Sequence, residues 1–203
     1  MEFQKLLDEL SSQSAAPGGG SVAAIAGALS AALVSMVCNL TFGKKKYQQH
    51  EDDVKKCLEN AEKLKMEFLL LAEKDAEVFS EVMEAYKLPH ESDAEKEERN
   101  RAVEEATKRA ALVPMDVLRR CESVAQSSRS VALKGNENSI SDAGVAAIMA
   151  HAAAHAASLN ILINLSTISD EDFKGKLKSE QEFVLKAVKD IADETIHFVN
   201  QKL

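Results

Sequence analysis

The sequence predicts an all-α protein, a bundle of long helices around two alanine-rich buried central helices. Three observations carry that prediction. Only three prolines and eight glycines punctuate 203 residues, so turns are few and the segments between them are long. Apolar residues recur at helical spacing along most of those segments, and no stretch alternates with period two. Ser21–Phe42 and Ala143–Ser169 hold no Asp, Glu, Lys or Arg and are built largely from small residues, as buried helices are.

The length suits a single domain spanning 1–203. Hydrophobic residues make up 45% and charged residues 29%, ordinary proportions for a folded soluble chain. With aromatics at 4% and no Trp, close helix packing has to replace large side chains. A formal net charge of −8 argues against nucleic acid as a partner, since phosphate binding needs clustered Lys and Arg. Cys38, Cys57 and Cys121 form no CxxC or zinc spacing and read as reduced thiols in a cytoplasmic setting. The opening MEFQKLLDEL lacks the apolar run of a signal peptide. Both uncharged segments reach bilayer-spanning length. They carry Asn39, His151, His155, Asn160 and Asn164, costly in lipid, and charged amphipathic sequence separates them. A soluble core is the better reading.

The elements follow in order. Glu2–Leu10 places Phe3, Leu6, Leu7 and Leu10 on one face of a short helix. After Pro17 and three glycines comes the first central helix, in which Ala23, Gly27, Ala31 and Ser35 form a ridge of small side chains for close helix approach. Lys44–Gln49 is a basic turn. Glu51 to about Tyr86 is a long amphipathic helix, with Asp75 inside its apolar register. Pro89 breaks the chain, and Ser92-Asp93-Ala94-Glu95 is a capping box that opens the next helix. Pro114 is expected to kink or interrupt that helix. Gly135 ends it, Ser139 caps the second central helix, and Asp170 lies in the acidic start of the last.

Chemistry is expected at the helix ends. Gly18-Gly19-Gly20-Ser21 puts unpartnered amides at a helix N-terminus, suited to an anion or polar ligand. The same glycines could serve only to let two helices cross tightly. It is neither a Walker A loop nor GxGxxG. Lys44 and Lys46 fit a solvated helix end, whereas Lys45 and Tyr47 are better placed as proton donors or carboxylate partners. Asp75 either pairs with a lysine across the core or acts as a general acid/base. Asp142 reads either as acid/base or as part of a Ser139-x-x-Asp142 cap. Asn136 and Asn138 are turn formers or ligand contacts. Asn160 and Asn164 either hold a facing helix or touch a ligand. His151 and His155, at i and i+4, are read as packed histidines rather than a zinc site, because no further ligands accompany them. No metal is assigned.

Several of these pieces together resemble the cyclodeaminase/cyclohydrolase family. They are Ala16-Pro17-Gly18-Gly19-Gly20-Ser21-Val22-Ala23-Ala24, Gly43-Lys44-Lys45-Lys46-Tyr47, Val113-Pro114-Met115-Asp116, Gly135-Asn136-x-Asn138-x-x-Ser141-Asp142 and Asn160-x-x-x-Asn164-Leu165. They are spread in family order over nearly the whole chain. The resemblance implies an all-helical homodimer that acts on tetrahydrofolate derivatives without a metal or nucleotide cofactor. It implies conversion of 5-formimidoyltetrahydrofolate to 5,10-methenyltetrahydrofolate plus ammonia. Alternatives are hydrolysis of the methenyl compound to 10-formyltetrahydrofolate, and a non-catalytic folate-binding or oligomerisation module. A separate formiminotransferase is a candidate partner. On that chemistry Lys45, Asp75 and Asp142 are the catalytic candidates, and Gly18, Gly19, Gly20, Ser21, Tyr47, Asn136 and Asn138 the substrate contacts.

Overall fold

The computed structural model describes residues 3–203; Glu2, expected in the first helix, lies outside them. Six α-helices form and no strand occurs among the described residues: α1 (Phe3–Leu10), α2 (Gly19–Thr41), α3 (Glu51–Tyr86), α4 (Asp93–Lys134), α5 (Ile140–Leu165) and α6 (Glu171–Asn200). The basic segment after α2 is a 3-10 helix, Lys45–His50, rather than an open turn, and a second short one covers Glu137–Ser139.

Helix boundaries follow local chemistry. Ser92 closes a reciprocal capping box with Glu95, and Asp170 accepts the Phe173 N–H at the start of α6. Gly43, at φ 72°, takes the left-handed turn that ends α2. Gly135 follows α4 for a different reason. Its φ of −85° is open to any residue, but a side chain there would stand 2.4 Å from the Val131 carbonyl and 3.0 Å from Val37.

Two expectations about caps and breaks are corrected. Ser139 does not cap α5 through its side chain, because its hydroxyl donates to the Asn136 carbonyl at 3.0 Å. Pro114 does not interrupt α4, which runs continuously from Asp93 to Lys134. The carbonyl deprived of a backbone donor by the proline is that of Ala110, and the Asn164 side-chain amide donates to it at 3.3 Å. A neighbouring helix supplies the missing donor.

The packing centre is α4, which touches α2, α3, α5 and α6. The small-residue ridge of α2 is buried, and Gly27 lies against the fully buried ring of Phe68 on α3. The alanine face of α5 is equally enclosed, with Ala143, Ala146, Ala147, Ala150, Ala153 and Ala154 all at 0% exposure. Neither helix is covered all round. Val22, Leu29, Met36 and Leu40 on α2, and Val145, Ile148, Leu159 and Leu162 on α5, are between 38% and 68% exposed. Four amphipathic helices cannot wrap two uncharged ones completely, so a broad apolar face remains outward.

Candidate active site

Gly18 is the N-cap of α2, with extended backbone and no side-chain cap. The first amides of the helix therefore have no partner within it. Asp75 of α3 is held against this end. The Ser21 hydroxyl stands 3.0 Å from Asp75 Oδ2 and 3.1 Å from the Ala72 carbonyl, sharing its hydrogen between them. The approach is possible only because residue 20 is glycine, since a Cβ there would fall 2.1 Å from Asp75 Oδ1. No cation pairs with Asp75 among the described residues, so the lysine pairing considered from the sequence is not what holds it.

Burial pushes the Asp75 carboxyl above its ordinary pKa, and the Ser21 hydroxyl and amide pull it only part of the way back. A carboxyl that holds its proton more readily and still faces a cavity is equipped to give and take protons. The cavity measures about 270 Å³ and is lined by Gly18–Gly20, Asp75, Phe79, Val82, Asn160 and Asn164, among others. Asn160 lies beside Gly19.

The second group gathers at the opposite end of α2. Asn136 donates its backbone N–H to Thr41 Oγ1 at 2.8 Å and its side-chain amide to the Leu40 carbonyl at 3.1 Å. Its Oδ1 accepts from the Asn138 N–H at 3.2 Å and from the Tyr47 hydroxyl at 3.4 Å. Tyr47 in turn accepts the Glu137 N–H at 3.1 Å. Asn136 is thus a clasp joining the end of α2, the 3-10 helix and the α4–α5 turn. Lys46 is engaged with Glu137, whereas Lys45 is exposed and has no ion-pair partner among the described residues. It lines a cavity of about 290 Å³ with Thr41, Gly43, Lys44 and Tyr47. Asn138 is exposed, and Asp142 sits half-buried in the first turn of α5 near this end.

The structure therefore joins Gly18–Ser21 to Asp75, and Tyr47 to Asn136, but leaves the two groups apart. α2 has 23 residues, about 33 Å at 1.5 Å per residue. Cavity placement adds Asn160 and Asn164, visible in the sequence as amides on an apolar helix but not separable there from packing residues. His151 and His155 lie elsewhere on α5, with ring centroids 4.8 Å apart. Burial, then the neighbouring His155, holds His151 below its ordinary pKa, and its Nε2 is buried without a partner.

The chain is similar to known proteins along most of its length. The family described as formiminotransferase-cyclodeaminase matches residues 2–183. A methenyltetrahydrofolate cyclohydrolase from Methylorubrum extorquens is 45% identical over 183 residues, 90% of this chain and 88% of the relative. A formimidoyltransferase-cyclodeaminase from Gallus gallus is 37% identical over 80% of this chain, which spans only 30% of that longer protein. The crystal structure of formiminotetrahydrofolate cyclodeaminase from Thermotoga maritima superposes with a TM-score of 0.90 at 33% identity, covering 99% of this chain and 96% of the other. The chain belongs to the formiminotransferase-cyclodeaminase family.

Proposed function

We propose that this protein is a folate one-carbon enzyme that works on the carbon bridging N5 and N10 of tetrahydrofolate, with Asp75 as its proton carrier. The observation that carries the proposal is the Asp75 carboxyl, raised in pKa and facing a cavity at the amide-rich start of α2. In hydrolysis, water adds to the bridging carbon of 5,10-methenyltetrahydrofolate and gives a proton to Asp75. The C–N5 bond then breaks, N5 takes a proton, and 10-formyltetrahydrofolate leaves, with one proton released overall. In deamination, N10 attacks the formimidoyl carbon and gives up its hydrogen, the terminal nitrogen gains that hydrogen and one further proton, and its bond to carbon breaks to release ammonia and the methenyl cation. Both pass through a tetrahedral carbon and need one group to move protons.

Hydrolysis is placed first because the 45%-identical cyclohydrolase matches along 88% of its own length. Deamination is the second reading, supported by the 0.90 superposition on the Thermotoga maritima enzyme. Absorbance of the methenyl chromophore separates them. Loss of the band from 5,10-methenyltetrahydrofolate faster than in buffer means hydrolysis. Its appearance from 5-formimidoyltetrahydrofolate, with ammonia, means deamination. Silence in both with a folded protein overturns the enzyme in favour of a binding module.

The outward apolar face supports a homodimer. On α2, Val22, Leu29 and Met36 recur at seven-residue intervals without a charge between them, a seam that can meet itself about a two-fold axis. With the two α2 helices antiparallel, the Asp75 end of one copy lies beside the Lys45–Tyr47 end of the other. Each complete site then draws on both chains. Leu29→Arg buries a charge in that seam, so it should yield a monomer and lower turnover at least about a hundredfold, as loss of a shared catalytic shell does. Size-exclusion chromatography with the chromophore assay reads both, and a fully active monomer would sink the shared site.

Lys45 has no ion-pair partner among the described residues and shares a cavity with Tyr47, so it is a cation available to a folate carboxylate; Lys46 is engaged with Glu137. Lys45→Met should lower kcat/KM by about 10- to 100-fold, the worth of a charge-assisted hydrogen bond, and Lys46→Met by about twofold or less. Equal losses would reduce both lysines to a solvated surface. The proposed setting is cytoplasmic, in keeping with three free buried thiols.

A further inference from the structure

Pro114 has no N–H, so the carbonyl of Ala110 one turn earlier has no backbone donor. The Asn164 side-chain amide donates to that carbonyl at 3.3 Å and to the Asn160 carbonyl at 2.9 Å. Both acceptors are carbonyl oxygens, so the amide cannot flip without setting oxygen against oxygen. Its two hydrogens are used, and Oδ1 is the only group left to offer. That oxygen accepts no hydrogen bond from the described residues, is not among the polar atoms sealed from solvent, and belongs to a cavity-lining residue. Asn160 is oriented by one such bond, its Nδ2 donating to the Ala156 carbonyl at 2.8 Å.

We propose that Pro114 and Asn164 form a positioning unit that fixes an acceptor on the wall of this cavity opposite the glycine amides, selecting the N–H-bearing edge of a reduced pterin ring. Asn160 Oδ1, Asn164 Oδ1 and the Asp75 carboxylate then line one cavity. A reduced 2-amino-4-oxopterin presents its N–H groups and exocyclic amine along its edges, the complement of such a wall. The rest of the molecule, an aminobenzoyl glutamate, ends in carboxylates, which have no hydrogen to donate to these acceptors. The cavity thus takes the ring end and leaves the acidic tail for the lysine-bearing end of the neighbouring chain. Pro114 is essential to this choice although it is fully buried and touches no ligand, because a residue with an N–H would reclaim Ala110 and free Asn164 to rotate.

This inference rests on the folate reading, and a double-mutant cycle tests it separately. The probes are 5-formyltetrahydrofolate, measured by calorimetry, and p-aminobenzoylglutamate, measured as a competitor of turnover. Asn164→Ala should weaken 5-formyltetrahydrofolate about tenfold, the worth of one hydrogen bond, and leave p-aminobenzoylglutamate unchanged. Pro114→Ala should weaken it about threefold to tenfold. Because the proline acts only through Asn164, the double variant should bind no worse than Asn164→Ala. Additive losses, or equal losses for both probes, would make Pro114 and Asn164 general fold determinants and overturn the positioning unit. Wild-type affinity in Asn164→Ala would overturn the acceptor wall while leaving the enzyme in place. Failure of the wild type to bind 5-formyltetrahydrofolate would overturn the folate reading instead.

Discussion

Asp75→Asn should leave a folded protein whose turnover is reduced by about 10²- to 10⁴-fold, the contribution of a positioned acid/base. The substitution keeps the shape of the side chain and an oxygen for the Ser21 hydroxyl, which now donates to Asp75 at 3.0 Å. What it removes is the titrating proton. Stability moves the other way. Because burial raises the Asp75 pKa, the folded state binds this proton more tightly than the unfolded chain does. Ionised Asp75 therefore costs stability at neutral pH, and the cost fades as pH falls through the raised pKa. The variant should melt at or above the wild-type Tm at pH 7.5, with the difference shrinking in acid. Thermal melts at several pH values, read with the methenyl assay, check both halves. Wild-type turnover would remove Asp75 from the chemistry, and a large drop in Tm would make it a structural residue.

Gly27→Ala should lower stability by about 2–3 kcal/mol, although alanine is the better helix former. The added methyl would stand 2.5 to 2.7 Å from three ring carbons of Phe68, which is fully buried and has nowhere to go. Relief requires α2 and α3 to separate along an interface whose neighbouring residues, Ala23, Ala31 and Ser35, are also buried. For a chain of this size the expected fall in Tm is about 5–10 °C. Combining the change with Phe68→Leu should recover part of the loss, since the smaller side chain yields the space. Melting within about 1 °C of wild type would show that this interface is soft, contrary to close packing.

Most of the helices were legible because local chemistry sets their ends. Ser92 and Asp170 act within a turn of themselves, and Asp75 stood out because a charge in an apolar register has to be explained. What was not legible came from partners distant in sequence. Pro114 reads as a break until Asn164, fifty residues on, is seen to supply the donor its helix lacks. Ser139 reads as a cap, yet the clasp around Asn136 takes its hydroxyl. The two uncharged segments read as central helices with more apolar surface than one layer of helices hides, and each has an outward face; periodicity reports what is apolar and not what covers it. Family resemblance gathered Asp75, Lys45 and Tyr47 into one expected site. Only the course of α2 shows that one chain holds them at opposite ends.

That course makes α2 a ruler. Its 23 residues fix both the spacing and the angle between the Asp75 end and the Tyr47 end. One extra residue would advance the far end by about 1.5 Å and swing it about 100° around the axis. The α3–α4 and α5–α6 connections, which carry none of these residues, can lengthen without disturbing either cluster. Within α2 an insertion or deletion changes phase as well as length, so the count of this stretch is constrained along its whole length.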